Sequence, residues 1–328
     1  MQIKILTEAE LRRSAGIDQA GLKVIEDAFT RLSVGKATMP PILRVDIPEN
    51  NGELDVKTAY LQGLDSFAVK LSSGFFNNNK LGLPSLSGMM ILLSAITGFP
   101  EALLLDNGYL TEIRTGLAGA LAAKYLAPKT IETAGVIGAG AQARAQMRGL
   151  RLVRNFKRLL VFSLEGVEQY VTDMSAEFGI EVMAIDDPGE LVRQSQVVVT
   201  TTPAKTPHLK AEWIHPGLHI TAMGADAEEK QELHAETLGR ADLLVCDRRS
   251  QSFRLGELHH GLEAGIIAED DGNIVELGEV TSGQHHGRQN DEQITICDLT
   301  GTGAQDTAIA LLAYQKAQEA GLGMQIES

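Results

Sequence analysis

Cysteine is nearly absent, with only Cys246 and Cys297 in 328 residues, each inside an apolar run (LLVCD and ITICD). That scarcity excludes a disulfide framework, and the two residues read as buried strand thiols of a reducing compartment. Basic charge is also short: 29 Lys and Arg stand against 43 Asp and Glu, a net charge of −14. With no basic stripe, general affinity for a nucleic-acid backbone is excluded, and any anionic ligand must be met locally. No stretch approaches the ~18 consecutive apolar residues of a membrane span. The opening MQIKILTEAELRR lacks the apolar centre of a signal peptide, so a cytoplasmic location is expected. A serine nucleophile elbow, a P-loop and an HExxH motif are all missing. The His pairs at 259–260 and 285–286 lack a ligand partner at useful spacing, so they read as surface residues and no metal is expected.

What is present, 44% hydrophobic and 22% charged residues, fits a soluble globular chain of one large or two medium domains. The chain starts with a helical opening in which Thr7 and Glu10 form a capping-box pattern. A second helix follows Asp18, with Leu22, Ile25, Phe29 and Leu32 on one face before Gly35. From Ile42 to Asp106 the signals become β-type (LDVKTAY, FAVKL, GMMILL, EALLL), with a hairpin-like turn near Thr97 and Gly98. They predict a mixed or antiparallel sheet with one helix-covered face. After an alanine-rich helix from Leu110 to Leu126, stopped by Pro128, strands and helices alternate: ETAGVIG, RLLVFS, IEVMAI, QVVVTTT, HITAMG, DLLVCD and QITICDL. Parallel strands need crossover helices, so this cadence predicts an α/β, doubly wound Rossmann-type domain beside the α+β first part. A last helix is expected from Ala304 to about Ala320.

The sharpest local motif is Gly138-Ala139-Gly140-Ala141-Gln142-Ala143, which fits G-x-G-x-x-A between an apolar strand and a helix. Gly138 permits the tight turn, Gly140 lets the backbone approach a pyrophosphate, and Ala143 allows close helix–strand packing. The helix N-terminus then faces the phosphates. At the end of the next strand, Ser163-Leu164-Glu165 offers no Arg for a 2′-phosphate, which favours NAD over NADP. A second glycine turn, with Gly301 and Thr302, lies at a strand's carboxyl end and is placed to meet the nicotinamide side or to serve as a plain connection. Its Asp306 falls in the first helical turn. The segment from Thr200 to Pro203 shares that position and that ambiguity.

Four cations sit in apolar segments of the first part: Arg44, Lys57, Lys70 and Arg114. In an acidic chain they suggest a carboxylate cradle, or else the solvent face of a half-exposed sheet. Asp226, in TAMGADAEEKQEL, follows a strand end and precedes a polar helix. It could exchange a proton with a substrate, or cap that helix.

These ordered stretches resemble the ornithine cyclodeaminase and μ-crystallin family over essentially the whole chain. The likeness rests on Met39-Pro40-Pro41 through Arg44, FAVKLSSGF, GLPSLSG, DNGYLTEIRT, GAGAQA, TTTP, GADAEEKQEL and DLTGTGAQDTA. LDVKTAY, LLLDNGYLT and LGELHH are most similar to the ectoine-utilisation branch, itself similar to the iminosuccinate reductases of the β-hydroxyaspartate cycle. The resemblance implies a substrate-binding and homodimerisation domain (1–118 and 305–328) and a Rossmann domain (119–304). It implies Arg44, Lys57, Lys70, Arg114, Asp55 and Ser85 at the substrate and Asp226 and Lys70 as catalytic groups. Gly138, Gly140, Ala141, Gln142, Ser163, Thr115, Thr201, Thr202, Met223, Gly301 and Thr302 are implied at NAD(H). At Asp55 the cyclodeaminases use a glutamate near the substrate amine. The shorter acid, followed by Lys57, departs from that pattern, because a diamine gains nothing from an added cation.

The expectation is an NADH-dependent imine reductase acting on a carboxylated imine such as iminosuccinate, giving L-aspartate. A cyclodeaminase using NAD transiently, an ectoine- or hydroxyectoine-degrading ketimine reductase, an amino-acid dehydrogenase and a non-enzymatic dinucleotide binder stand as alternatives.

Overall fold

Residues 2–327 are described by a computed structural model. The chain divides into two compact units, Met1–Arg114 with Thr302–Ser328, and Thr115–Gly301. The expected division at 118/119 and 304/305 lies a few residues further along at each crossing.

The strands before the first crossing are β1 (Gln2–Thr7), β2 (Ala37–Thr38), β3 (Leu43–Ile47), β4 (Gly52–Leu61), β5 (Ser66–Phe75), β6 (Leu86–Ser94) and β7 (Pro100–Leu105). Those of the second unit are β8 (Thr133–Ile137), β9 (Arg158–Phe162), β10 (Glu181–Ala184), β11 (Val197–Thr200), β12 (His219–Ala222), β13 (Leu243–Cys246), β14 (Ile274–Glu276) and β15 (Thr295–Asp298), and β16 (Met324–Glu327) follows in the first unit. The helices are α1 (Glu8–Ser14), α2 (Gln19–Ser33), α3 (Tyr109–Leu126), α4 (Ala141–Val153), α5 (Val167–Phe178), α6 (Pro188–Gln194), α7 (Arg249–Ser252), α8 (Glu257–Glu263), α9 (Leu277–Thr281) and α10 (Gly303–Glu319).

In the first unit the sheet runs β16-β1-β7-β6-β5-β4-β2, with β3 also on β4. Among the described residues, only β1 and β7 pair in parallel within it. The Thr7–Glu10 capping box starts α1, and Asp18 accepts from the Gly21 amide at 2.7 Å to start α2. Leu22, Ile25, Phe29 and Leu32 form the buried stripe of α2, and Gly35 leaves the helix at φ +72°. The opening residues are a correction: QIKILT is a strand, not part of the first helix. Its hydrogen bonds go to β7 and β16, partners remote in sequence that no local pattern reveals.

Helix α10 packs on β4, β5 and α2. A Cβ at Gly303 would collide with the Thr58 carbonyl, so glycine allows the helix to start against β4. One turn on, the Thr307 hydroxyl donates to the Ala59 carbonyl at 2.8 Å and accepts from the Ala68 amide at 3.1 Å. Beneath this helix, register aligns Lys57, Lys70, Met90, Leu104 and Leu6 in one row across five strands. Met90, Leu104 and Leu6 are buried, so two lysines end an otherwise apolar row. On the other face, Leu43, Val56, Leu71 and Met89 are aligned, with Leu43 57% and Met89 41% exposed.

The second unit is a parallel sheet in the order β10-β9-β8-β11-β12-β15-β13-β14. Chain order reverses between β8 and β11, the switch point at which doubly wound sheets bind ligands. One core layer holds Val136, Met147, Leu150, Val161 and Tyr170, and the other Ile137, Leu160, Val198, Ile220 and Leu244. Cys246 and Cys297 are buried free thiols of central strands. The polar helix expected after Asp226 does not form. The Glu232 and Leu233 amides donate instead to the Glu257 carboxylate at 2.8 and 3.1 Å, and the Gln231 amide to the Ala204 carbonyl.

Candidate active site

Two sets of residues carry the chemistry, one in each unit. In the first unit, Lys57 and Lys70 are directly opposed across β4 and β5, and both are buried, as is Arg114 in α3. Like charges facing each other across strands repel, and burial strips them of water, so the arrangement needs an anion. Asp306 supplies one from the first turn of α10. Its carboxylate lies 2.9 Å from Lys70 Nζ and 3.0 Å from Arg114 Nε, and its side chain is fully buried. Burial, with further push from Arg114 and Lys57, lowers the Lys70 pKa to about 7, although Asp306 opposes the fall. Burial alone would raise the Asp306 pKa, but Lys70, Arg114 and Lys57 outweigh it and hold the carboxyl below its ordinary range.

Arg44 is paired with acids other than Asp306. It pairs with Asp46 at 2.9 Å and Glu53 at 2.5 Å on the sheet's edge, opposite Asp55 in register. One Asp55 oxygen is buried without a hydrogen-bond partner. Ser85 is half-buried, and its carbonyl accepts from the Phe75 amide. Of the expected substrate groups, the structure thus gathers Lys57, Lys70 and Arg114, and leaves Arg44 neutralised by its own neighbours.

In the second unit, Gly138 ends β8 at φ +112°, where a Cβ would meet Thr201 Oγ1 at 2.5 Å. Gly140 has open space around its missing Cβ, and it caps α4 without any side-chain hydrogen bond to the first-turn amides. The positive end of a helix, with a glycine leaving room for close approach to its first-turn amides, fits a dinucleotide's pyrophosphate. Ala141 and Gln142 open that helix. The Ser163 hydroxyl donates to the Glu165 carbonyl at 2.8 Å, shaping the loop after β9, and residues 163–166 contain no cation. The residues present therefore suit a free ribose better than a phosphorylated one.

Several expected cofactor contacts are committed to the protein itself. The Thr202 hydroxyl and amide donate to Glu232 at 2.7 and 2.5 Å, and the Thr302 hydroxyl and amide are taken by Gln305 in the α10 capping box. Gly301 takes φ +83° and donates its amide to Asp247 at 2.6 Å. Met223 is buried, its amide bonded to the Thr200 carbonyl, and the Thr115 carbonyl accepts from Gln146. Asp226 lies exposed with Lys230 Nζ at 2.6 Å.

Sequence reasoning missed Asp306 as part of the cluster, and it missed four buried acids that brace the loops at the sheet's carboxyl edge. Glu232 also accepts from Thr200 Oγ1 at 2.6 Å and the Gly224 amide at 2.7 Å. Asp247 holds the Thr300 amide at 2.9 Å, Asp298 holds the Leu258 amide at 3.1 Å, and Glu257 is described above. Burial raises the pKa of all four, that of Asp298 to about 8. The His259–His260 pair does acquire a neighbour: Glu263, one helical turn on, pairs with His259 at 3.6 Å, and ligand atoms of the three lie within 4.8 Å.

One unit with a parallel sheet and a glycine turn at its switch point, and another with a buried cation cluster, define a two-unit protein of dinucleotide-dependent type. The chain belongs to the ornithine cyclodeaminase/mu-crystallin family, whose model matches residues 1–321. An uncharacterized cyclodeaminase of Sinorhizobium fredii is 51% identical over 329 residues, covering 99% of each chain. An archaeal alanine dehydrogenase dimer with bound NAD superposes with TM-score 0.92 at 35% identity, covering 100% of this chain and 99% of its own. The iminosuccinate reductase of Paracoccus denitrificans, solved with NAD+, gives TM-score 0.92 at 31% identity, covering 100% of both chains.

Proposed function

We propose that the protein is an NAD(H)-dependent imine reductase whose substrate is iminosuccinate or a similarly carboxylated imine, reduced to L-aspartate or its analogue. The observation that carries this reading is the imbalance of charge in the buried cluster. Lys57, Lys70 and Arg114 face one acid in ion-pair contact, Asp306, and burial pushes the carboxyl of the other acid near Lys70, Asp106, toward its neutral form. With the three cations charged and Asp106 neutral, two positive charges are left, the number needed by a substrate with two carboxylates. A diamine would add repulsion. Relatives carrying NAD support the same cofactor here.

In this reading Lys70 and Arg114 hold the α-carboxylate, and Lys57 holds the second. Arg44, Asp55 and Ser85 frame the pocket, and Arg44 joins by exchanging Asp46 or Glu53 for substrate. The turn at Gly138 and Gly140, with Ala141 and Gln142, seats the pyrophosphate. Ser163 faces the ribose, and Thr115, Thr201, Met223 and Gly301 serve the nicotinamide half. Thr202 and Thr302 act on it only by fixing their loops. When bound, NADH would supply the hydride for the imine carbon. Asp226, oriented by Lys230, relays the proton to the imine nitrogen directly or through water. The aligned apolar face of Leu43, Val45 and Met89 is assigned to a second copy of the chain, as in the dimeric neighbour.

An amino-acid dehydrogenase is the second reading, favoured by the alanine dehydrogenase neighbour. The test is NADH oxidation with ammonia and either oxaloacetate or pyruvate, which form imines bearing two carboxylates and one. Preference for the first by about tenfold or more is expected; preference for the second would replace the proposal with the dehydrogenase.

A further inference from the structure

We propose that Asp306 is the positioning residue of the carboxylate site, bridging Lys70 and Arg114 from the start of α10 so that both cations are set for substrate before it binds. The inference rests on the reductase reading for its substrate, but not for its geometry. Three independent restraints fix the first turn of α10: the tight approach of Gly303 to Thr58, the Thr302–Gln305 capping box, and the two bonds of Thr307 to β4 and β5. Asp306 sits between these restraints, so its carboxylate is placed by the helix rather than by the cations it meets. Its nearest approach to Arg114 is at Nε, 3.0 Å away, and a guanidinium presents several donors in a rigid fork suited to carboxylates.

Two effects follow. Asp306 limits the side-chain freedom of a lysine and an arginine, so less order must be gained on binding. It also keeps Lys70 charged against the groups that oppose ionisation. The charged groups facing Lys70 are Lys57 from β4, Arg114 from α3, Asp306 from α10 and Asp106 from the turn before α3. Of the two acids, Asp306 is the one in ion-pair contact. A reading in which Asp306 is only an internal anion competing with substrate predicts the opposite: removing it would tighten carboxylate binding.

The experiment reads Lys70 directly by NMR titration of protein carrying lysine labelled with carbon-13 at Cε, with Lys70→Arg to assign the signal. In Asp306→Asn the Lys70 midpoint should fall by one pH unit or more. NADH affinity should be unchanged, KM for the imine should rise at least tenfold, and the alkaline limb of kcat/KM should move acidward with the midpoint. Asp306→Glu keeps the charge on a longer arm. It should hold the midpoint near the wild-type value while still raising KM, and it carries the test if the Asn variant does not fold. An unmoved midpoint in Asp306→Asn, a lowered KM, or a wild-type KM in Asp306→Glu would overturn the proposal. Because the titration needs no substrate, it stands or falls separately from the reductase assignment.

Discussion

Lys70 and Lys57 occupy positions that a folding chain would fill with apolar residues, as Met90 and Leu104 in the same row show. Retaining cations there is explained by an anion that arrives later. Lys57→Met should therefore raise KM for the two-carboxylate imine by roughly 10–100-fold, the loss of one charge-assisted hydrogen bond of about 1.5–3 kcal/mol. The one-carboxylate imine should be affected little; steady-state kinetics on both substrates check this. Arg114→Met should cut turnover by about two orders of magnitude or more while NADH binding, followed by fluorescence, stays intact. Loss of both would contradict the division of roles. The cations were legible in the sequence because charge inside apolar runs stands out. Asp306 was not, since an acid in a first helical turn already satisfies the helix dipole and nothing local shows its contact with Lys70. Arg44 looked equivalent to the others until its pairing with Asp46 and Glu53 was visible.

The glycine turn after β8 and the strands on either side of it could be read directly, because each buried parallel strand is a short apolar run with turn residues at its ends. Elements defined by remote pairing escaped: β1 behind a genuine helix cap, the short β3, β14 and β16, and the loop after Asp226 whose amides are taken by Glu257. The buried acids that brace these loops make stability depend on pH in a defined direction. Asp298 has a folded-state pKa of about 8, above its unfolded value, so the folded state binds more protons between the two. Its stabilising contribution is therefore fully present below about pH 4 and is lost as pH rises toward 8, at up to about 1.4 kcal/mol per pH unit. Asp298→Asn keeps an acceptor for the Leu258 amide but cannot ionise. Relative to wild type, its unfolding midpoint in urea should improve steadily from pH 5 to pH 8 and then level off. A difference independent of pH would show that the carboxyl is ionised throughout.

The face of the first unit's sheet opposite Lys70 presents Leu43, Val45 and Met89 to solvent, each more than two-fifths exposed. An apolar face of this kind marks an interaction surface, and a self-complementary patch generates a two-fold dimer. Sedimentation should give twice the chain mass of 35.3 kDa, and Val45→Glu with Met89→Glu should shift it to the monomer; a wild-type monomer would remove the assignment. The net charge of −14 makes the buried cations matter more, because a dianionic substrate approaches against the field of the whole chain. Raising salt from low ionic strength should therefore not weaken turnover as it would for a steered anion.

Ammonia-dependent oxidation of NADH with oxaloacetate, run beside ornithine with NAD and a measurement of released ammonia, distinguishes imine reduction from cyclodeamination. An iminosuccinate reductase will oxidise NADH rapidly only with ammonia present, yield L-aspartate, and leave ornithine untouched. Ammonia released from ornithine at constant NADH, with no oxidation in the first assay, would contradict that assignment and make the protein a cyclodeaminase.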